Sequence, residues 1–511
     1  METSLLYAFL SLILLLLATT SLVKLFSPED KRKLPPSPVS SIPVLGHLHL
    51  LKFPLHRTYQ KLADKLGPIF SLRLGNRLMV VVSSPEIVDE CFTSNDVVLA
   101  NRPKLIVGRY VGYNYTSLVS SPYGDHWRNL RRLTTVEVFS AARLNAFQSI
   151  RHDEIGLLLR KLCRTACQDF AKVELRSLLT EMTFNNIMRM VAGKRYFGGE
   201  EEEEEDGGGG EAKQFRELIE EVFTYGGVSN PADFFPVLRW IDYKGFQKKL
   251  RRVIGRMDAF LQRLIDEQRR RNKDTNTMID HLLSLQETEP EYYNDVIIKG
   301  VIMVMLLAGT DTSAVTIEWA MSALLNHLEK LHKAKIEIDN IIGSDRRRLI
   351  DESDLSKLPY LQSIISETFR LFPAAPLLVP HEASSDCTIG GYDIPRGTIL
   401  IVNAWAVHRD PGVWDDPESF SPERFEAVGA VMPPKLMPFG MGRRSCPGMG
   451  LAQRMVGLSL GSLIQCFEWR RVDEGLVDLT EGRGVSMPKV KPLEAMCKAR
   501  DVLIKVLLEA D

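Results

Sequence analysis

The segment Pro438-Phe439-Gly440-Met441-Gly442-Arg443-Arg444-Ser445-Cys446-Pro447-Gly448 decides how this chain is read. Glycines punctuate it, a single cysteine sits near its end, and the apolar run GLAQRMVGLSLGSLIQ follows at once. Gly442 and Gly448 open backbone conformations closed to other residues, so the chain is able to wrap the sulfur and approach a flat cofactor. A helix starting near Met449 aims its first N–H groups back at that sulfur and favours the thiolate. The pattern predicts that Cys446 is a thiolate holding an iron. The competing reading of one cysteine is a small buried hydrophobe.

The rest of the composition narrows the class. The chain has 511 residues, 45% hydrophobic and 25% charged, with a formal net charge of -1. This is ordinary globular composition, and the charge offers no general attraction to phosphate backbones, so nucleic acid is excluded as an expected partner. Seven cysteines, sparse and without paired C-x-x-C spacing, argue for a reducing compartment and against a structural zinc site. Cys163 and Cys167 share a helix face and are expected in the core.

An uncharged run from Thr3 to Val23 (TSLLYAFLSLILLLLATTSLV) has the length of a bilayer-crossing helix, and Lys24, Lys31, Arg32 and Lys33 follow it. Residues 1–26 are therefore read as a membrane anchor with the body on the cytosolic side, the alternative being a cleaved signal peptide. Residues 27–46, with LPPSP and Pro43, form a stiff basic hinge, and residues 47–511 form one large domain. IFSLRL and RLMVVVS around Gly75-Asn76 predict a hairpin. Residues 101–121 have no clear period and are read as a loop. Trp127 and Arg131, four apart, share a helix face beside Arg128 and Arg132. Residues 198–211 (GGEEEEEDGGGGE) form an acidic insert that cannot bury apolar area.

A helix about 48 Å long at 1.5 Å per residue is predicted from Asn294 to Leu325. It is apolar on most faces yet carries Gly309-Thr310-Asp311-Thr312-Ser313 in its middle, where Thr312 is able to bond the Ala308 carbonyl and open the ladder. The plain alternative is a kink made for packing. Glu367 and Arg370 sit three apart, and Pro422-Glu423-Arg424-Phe425 supplies a second arginine. Phe372 to His381 (FPAAPLLVPH) is an apolar, proline-bounded loop.

Phe439, Gly442, Arg444, Cys446 and Gly448, with AGTDTS, E-x-x-R and P-E-R-F in that setting, resemble the cytochrome P-450 superfamily over nearly the whole chain. The finer wording is similar to plant microsomal members that include isoflavone hydroxylases and lignan-modifying oxygenases. The chain departs from them at Asn326-His327-Leu328-Glu329, where a proline is expected, and in its polyglutamate insert. The resemblance implies a mainly α fold with small β-sheets, a single large catalytic domain behind the anchor helix, in the endoplasmic reticulum membrane. It implies heme b with Cys446 as axial thiolate, and Trp127, Arg131, His381 and Arg444 as propionate partners, with Phe439 and Gly448 beside the cofactor. His381 is equally readable as a surface histidine.

Asp311 and Thr312 are implied to deliver protons to bound oxygen, and Glu367, Arg370 and Arg424 to form a buried ionic support. The pocket is expected from the 101–121 loop, Met303, Leu307, Ala308, Ala375, Leu377, Leu378, Val379, Val485 and Met487, residues suited to a lipophilic substrate. The implied activity is insertion of one oxygen atom of O2, with NADPH electrons arriving through a separate flavoprotein, NADPH-cytochrome reductase, at the membrane surface. Arg128, Arg132, Lys435 and Arg443 are its candidate docking residues. Other classes compatible with the loop alone are a haem-thiolate isomerase or dehydratase and a non-enzymatic lipid-binding protein.

Overall fold

The computed structural model describes residues 32–198, 230–271, 277–342, 348–426, 435–484 and 486–501. It adds short pieces at 11, 214–215, 217–219, 221–222, 224, 504 and 506. The anchor span apart from Ser11, residues 27–31 of the hinge, residues 199–211 of the acidic insert, and Val485 lie outside the described residues. The chain divides into two compact units, Met1–Pro103 with Ser229–Tyr243 and Leu377–Val407, and Lys104–Val228 with Lys244–Pro376 and His408–Asp511.

The first unit is built on the expected hairpin. Strands Ile69–Leu74 and Arg77–Val82 pair antiparallel, with Leu74 opposite Arg77. The turn needs Gly75, whose φ is +56° and whose added Cβ would stand 2.4 Å from the Phe234 carbonyl oxygen. Ile399–Val402 pairs parallel to the second strand, and His381–Glu382 closes the sheet. Phe70, Leu72, Leu74, Met79, Val81, Ile399 and Ile401 join Tyr59 and Phe234 in one apolar cluster, against which Leu377 packs.

The second unit is helical. At its centre is the long apolar stretch, formed as Asp295–Gly309 and Asp311–Asn326. The Asn294 side chain caps its start by accepting from the Ile297 amide at 3.2 Å. The break falls at Thr310, which has ψ −69°, and the hydroxyls on either side bond backward, Thr310 to the Leu306 carbonyl at 2.9 Å and Thr312 to that of Ala308 at 2.7 Å. By length and composition this stretch could cross a membrane, but 67% of its most apolar window is buried in protein, as in a core helix. Leu175–Ala192, Pro359–Leu371 and Met449–Cys466 pack around it, leaving every residue from Ser313 to Leu325 buried. It ends where a proline was expected, and His327 (φ −133°, ψ 67°) makes the break without one before Leu328–Ile342 begins.

The 101–121 segment departs from the expected loop. It contains a short helix, Ile106–Tyr110, and then three successive residues with positive φ, Tyr113, Asn114 and Tyr115. Local amides close it, Asn114 donating to the Arg109 carbonyl at 2.8 Å and Tyr115 to that of Gly108 at 3.1 Å. Such hydrogen bonds carry no hydrophobic period and leave no pattern in the sequence.

Candidate active site

The cysteine loop closes on itself. The Cys446 amide donates to the Phe439 carbonyl at 2.8 Å, and Ser445 to that of Gly442 at 3.1 Å. Gly440 and Gly442 take φ of +71° and +65°, which only glycine adopts freely. Gly448 does not fit the expectation of a special backbone: its φ is −85°. A Cβ there would meet the Phe139 ring at 3.6 Å and the Cys446 sulfur at 3.8 Å, ordinary contacts that narrow the space beside the sulfur. The Phe439 ring packs edge-on to Phe369 at 5.1 Å.

Cys446 lies deep in the mass of the protein and is nonetheless solvent-exposed, so its sulfur faces an internal void. Burial pushes the thiol up, while the Gly448 amide and the Arg131 charge pull it down. A thiol placed this way ionises readily only when a cation binds it. Trp127, 4% exposed, and Arg131 both project from Asp125–Leu133 toward this loop. Arg131 donates to the Ser445 carbonyl at 2.5 Å. Arg444 donates to the carbonyls of Leu118 at 3.1 Å and Ser121 at 2.6 Å, its guanidinium 4.4 Å from the Trp127 ring centroid, and the indole N–H also goes to Leu118. Burial lowers both arginines, Arg444 to about 10 with further repulsion from Arg131. Two half-buried guanidiniums that repel each other favour an anionic group beside them.

On the core helix, Val304, Leu307, Ala308, Asp311 and Thr312 stay open or half-open between fully buried neighbours. Their spacing is that of one helix face, so a single stripe of a buried helix lines a void. Met303, expected on that face, is 1% exposed and packs into protein, and Val304 takes its place. The Asp311 carboxylate accepts a short hydrogen bond from the Ser486 hydroxyl, and burial holds it above the usual carboxylate range against that bond and the Arg176 charge. Ser486 was not legible in the sequence: it lies 175 residues away with no motif around it.

Met487, also expected to line the pocket, is 2% exposed and acts as a strut instead. Its amide donates to the Ala374 carbonyl at 2.9 Å, and its carbonyl accepts from the Trp319 indole at 2.8 Å, with Trp319 stacked 4.3 Å from Phe372. Ala375, beside Ala374, is half-buried.

The ionic cluster is buried as a unit. Glu367 and Arg370, both 0% exposed, bond at 2.7 and 2.8 Å, and Arg424 adds a bond to Glu367 at 3.2 Å. Arg370 also donates to the carbonyls of His408, Pro417 and Ser419. Leu377, Leu378, Val379 and His381 belong to the first unit, where Val379 is exposed and Leu378 has φ +51°. His381 is not a surface histidine: it is 5% exposed, its Nδ1 is 2.7 Å from the Leu99 carbonyl, and its ring lies 5.0 Å from that of Phe92. Cys163 is buried as expected, whereas Cys167, expected beside it in the core, is only half-buried because the helix Gln148–Ala166 ends there; the described residues contain no cluster of three or more His, Cys, Asp or Glu fit for a metal. A lone thiol in a void with cationic donors on its rim therefore fits an iron carried inside an anionic flat cofactor, and not a bare ion.

The profile of the family described as Cytochrome P450 matches residues 35–493, and the chain belongs to that family. It is 61% identical over 511 residues, all of both chains, to cytochrome P450 81Q32 of Catharanthus roseus. It is 54% identical to an isoflavone 3'-hydroxylase of Medicago truncatula, covering 96% of this chain and 97% of that one. A zebra fish cytochrome P450 solved with progesterone superposes with a TM-score of 0.75 at 25% identity, over 88% of this chain and all of the other. Within the family it groups with plant family 81, monooxygenases that hydroxylate specialised metabolites. The family's haem is held by a cysteine thiolate, and O2 and NADPH are used through a reductase. Its members act on lipophilic substrates, and the plant members are typically microsomal.

Proposed function

We propose that Cys446 would hold the iron of heme b in this chain, with Trp127, Arg131 and Arg444 as the donors that would receive its propionates and Phe439 and Gly448 beside it. The observation that carries the reading is a sulfur set deep in the protein yet open to a void, with two mutually repelling arginines on its rim. Haem bound through a thiolate activates O2 for insertion of one oxygen atom into a C–H bond. Glu367, Arg370 and Arg424 hold the surrounding backbone, through the carbonyls that Arg370 gathers.

Thr312 and Asp311 manage protons in this reading. Burial lets the Asp311 carboxyl carry a proton at Oδ1, since Oδ2 accepts from Ser486, and Thr312, one residue on along the open stripe, would hand it into the void. Leu307, Ala308 and Val304 offer an apolar wall to the substrate, with Ala375 as a further pocket residue. That wall and the similarity to an isoflavone hydroxylase support a plant phenolic of planar aromatic character as substrate.

Residues 1–26 anchor the chain in the endoplasmic reticulum membrane, with residues 47–511 as the catalytic domain in the cytosol. Arg128, Arg132, Lys435 and Arg443, all exposed in the second unit, form the docking face for NADPH-cytochrome reductase. The deciding experiment compares the parent with Cys446→Ser in purified, reduced protein treated with carbon monoxide. The parent is expected to give the long-wavelength band of a thiolate-bound haem and the variant to lack it. A variant that keeps the band removes Cys446 from this role.

A further inference from the structure

The helix Asp295–Gly309 carries one cation that the chemistry above does not use. Lys299, 7% exposed, lies among Ile297, Ile298, Val301 and Ile302, all buried. A buried ammonium needs a partner, and it has one in Asp258 of the helix Phe246–Arg270, with Nζ 2.7 Å from Oδ1. The same carboxylate oxygen accepts the Tyr113 hydroxyl at 3.0 Å, and the Lys299 ammonium stands 6.0 Å from the Tyr113 ring centroid. Burial and the Asp258 charge both push the Tyr113 hydroxyl up, which keeps it a donor. Three distant stretches of chain therefore meet on one oxygen atom.

Tyr113 opens the left-handed run Tyr113-Asn114-Tyr115, with φ of 47°, 55° and 65°. Non-glycine residues rarely adopt this conformation singly, and a run of three persists only when its surroundings impose it. The other end of the same segment is held at the cysteine loop, where Leu118 and Ser121 accept from Arg444. The segment thus spans from Lys299 on the core helix to the arginine beside Cys446. The open stripe of Val304, Leu307 and Ala308 starts little more than one helical turn beyond Lys299.

We propose that Tyr113, Asp258 and Lys299 form a clasp that fixes residues 106–121 as the roof of the substrate void, and so are positioning residues that select substrates by size. The proposal rests on the void being the haem pocket. Tyr113→Phe removes one hydroxyl, and the double variant Asp258→Asn with Lys299→Met removes both charges together, so neither strands a buried ion. Two measurements on the full chain test it. Hydrogen–deuterium exchange of amides 111–118 is expected to quicken roughly tenfold in both variants, the loss of a hydrogen bond to a charged group, with Gln148–Ala166 unchanged.

In the haem-loaded protein, spectral binding of a phenyl-substituted imidazole should quicken by a similar factor while that of imidazole itself stays as in the parent. Unchanged exchange at 111–118 overturns the clasp, whether or not haem is bound. Faster exchange with equal acceleration of both imidazoles, or of neither, overturns the size-selecting roof. Failure of the parent to bind either imidazole would count against the haem reading alone, and the exchange result would still decide the clasp.

Discussion

Replacing Glu367 by alanine should cost more stability than any other single change near the cysteine loop. Four donors converge on its carboxylate: Arg370 Nε at 2.7 Å, Arg370 Nη2 at 2.8 Å, the Ser421 amide at 2.7 Å and Arg424 Nε at 3.2 Å. Arg370 has no access to water, at 0% exposed, and after the change it keeps only its three backbone carbonyls as partners. Breaking a buried pair from one side leaves an uncompensated charge, a loss of about 3–5 kcal/mol. Against a total stability of about 5–15 kcal/mol, that is a large share.

Arg424→Ala removes the 3.2 Å bond to Glu367 and the bonds to the Asp415 and Asp416 carbonyls at 2.7 and 3.2 Å, but it leaves the Glu367–Arg370 pair whole and strands no buried charge, so about 1–3 kcal/mol is expected. Glu367→Gln, which keeps the volume and one acceptor, should fall between the two. Urea unfolding followed by haem release gives all three values on one scale. A cost for Glu367→Ala below about 1 kcal/mol, or one smaller than that of Arg424→Ala, would refute the claim that the cluster acts as a buried charge pair.

Ser486→Ala removes the hydroxyl that favours the charged Asp311, so its carboxyl should rise further and, because Asp311 acts in its protonated form, the alkaline limb of the turnover profile should move to higher pH. A limb that stays in place would separate Asp311 from the proton step. Because burial raises Asp311 above 3.8, the folded chain binds more protons than the unfolded chain between that value and its folded pKa. Its contribution to stability is lost as pH rises through that window, so Asp311→Asn should unfold at higher urea than the parent at neutral pH while turning over less; a lower midpoint would contradict the sign.

Gly309→Ala places a Cβ 2.7 Å from Ile187 Cδ1, an overpacking of about 1–3 kcal/mol partly offset by about 1 kcal/mol of helix propensity. Adding Ile187→Val, which deletes that methyl, should recover most of the loss. Strict additivity of the two changes would show that the contact does not limit this site.

Much of the site was legible because its chemistry is local. Gly442, Arg444 and Cys446 lie within five residues, Trp127 and Arg131 share a helix face, and Thr312 reaches Ala308 within one turn, so spacing grouped them locally and the resemblance implied their roles. The hairpin about Gly75 was equally local, since a two-residue turn sets its own register. Glu367 and Arg370 were legible as a pair, and the resemblance implied their burial, but the carbonyls that receive Arg370 were not legible, because they come from residues 408–419.

The misreadings have the same origin. Met303 and Val304 are adjacent apolar residues on one helix, and only the neighbours packed around them decide which faces the void. Met487 is apolar enough for a pocket, yet its backbone is committed to Ala374 and Trp319. Gly448 has the composition of a special turn but ordinary φ. For His381 only the surface alternative fails, because strand pairing with Leu400 carries it under Phe92.

By itself the sequence carried the resemblance that implies the reaction class, because the cysteine loop, the hydroxyl-acid pair and the E-x-x-R motif each depend on residues a few positions apart, where helix and turn geometry leave little freedom. Only the tertiary structure decided what surrounds that chemistry: Ser486 on Asp311, Leu118 and Ser121 on Arg444, and Asp258 between Tyr113 and Lys299. Those partners are brought together by packing of segments from 41 residues (Asp258 and Lys299) to 326 residues (Leu118 and Arg444) apart, and no local period or spacing records which of them will meet.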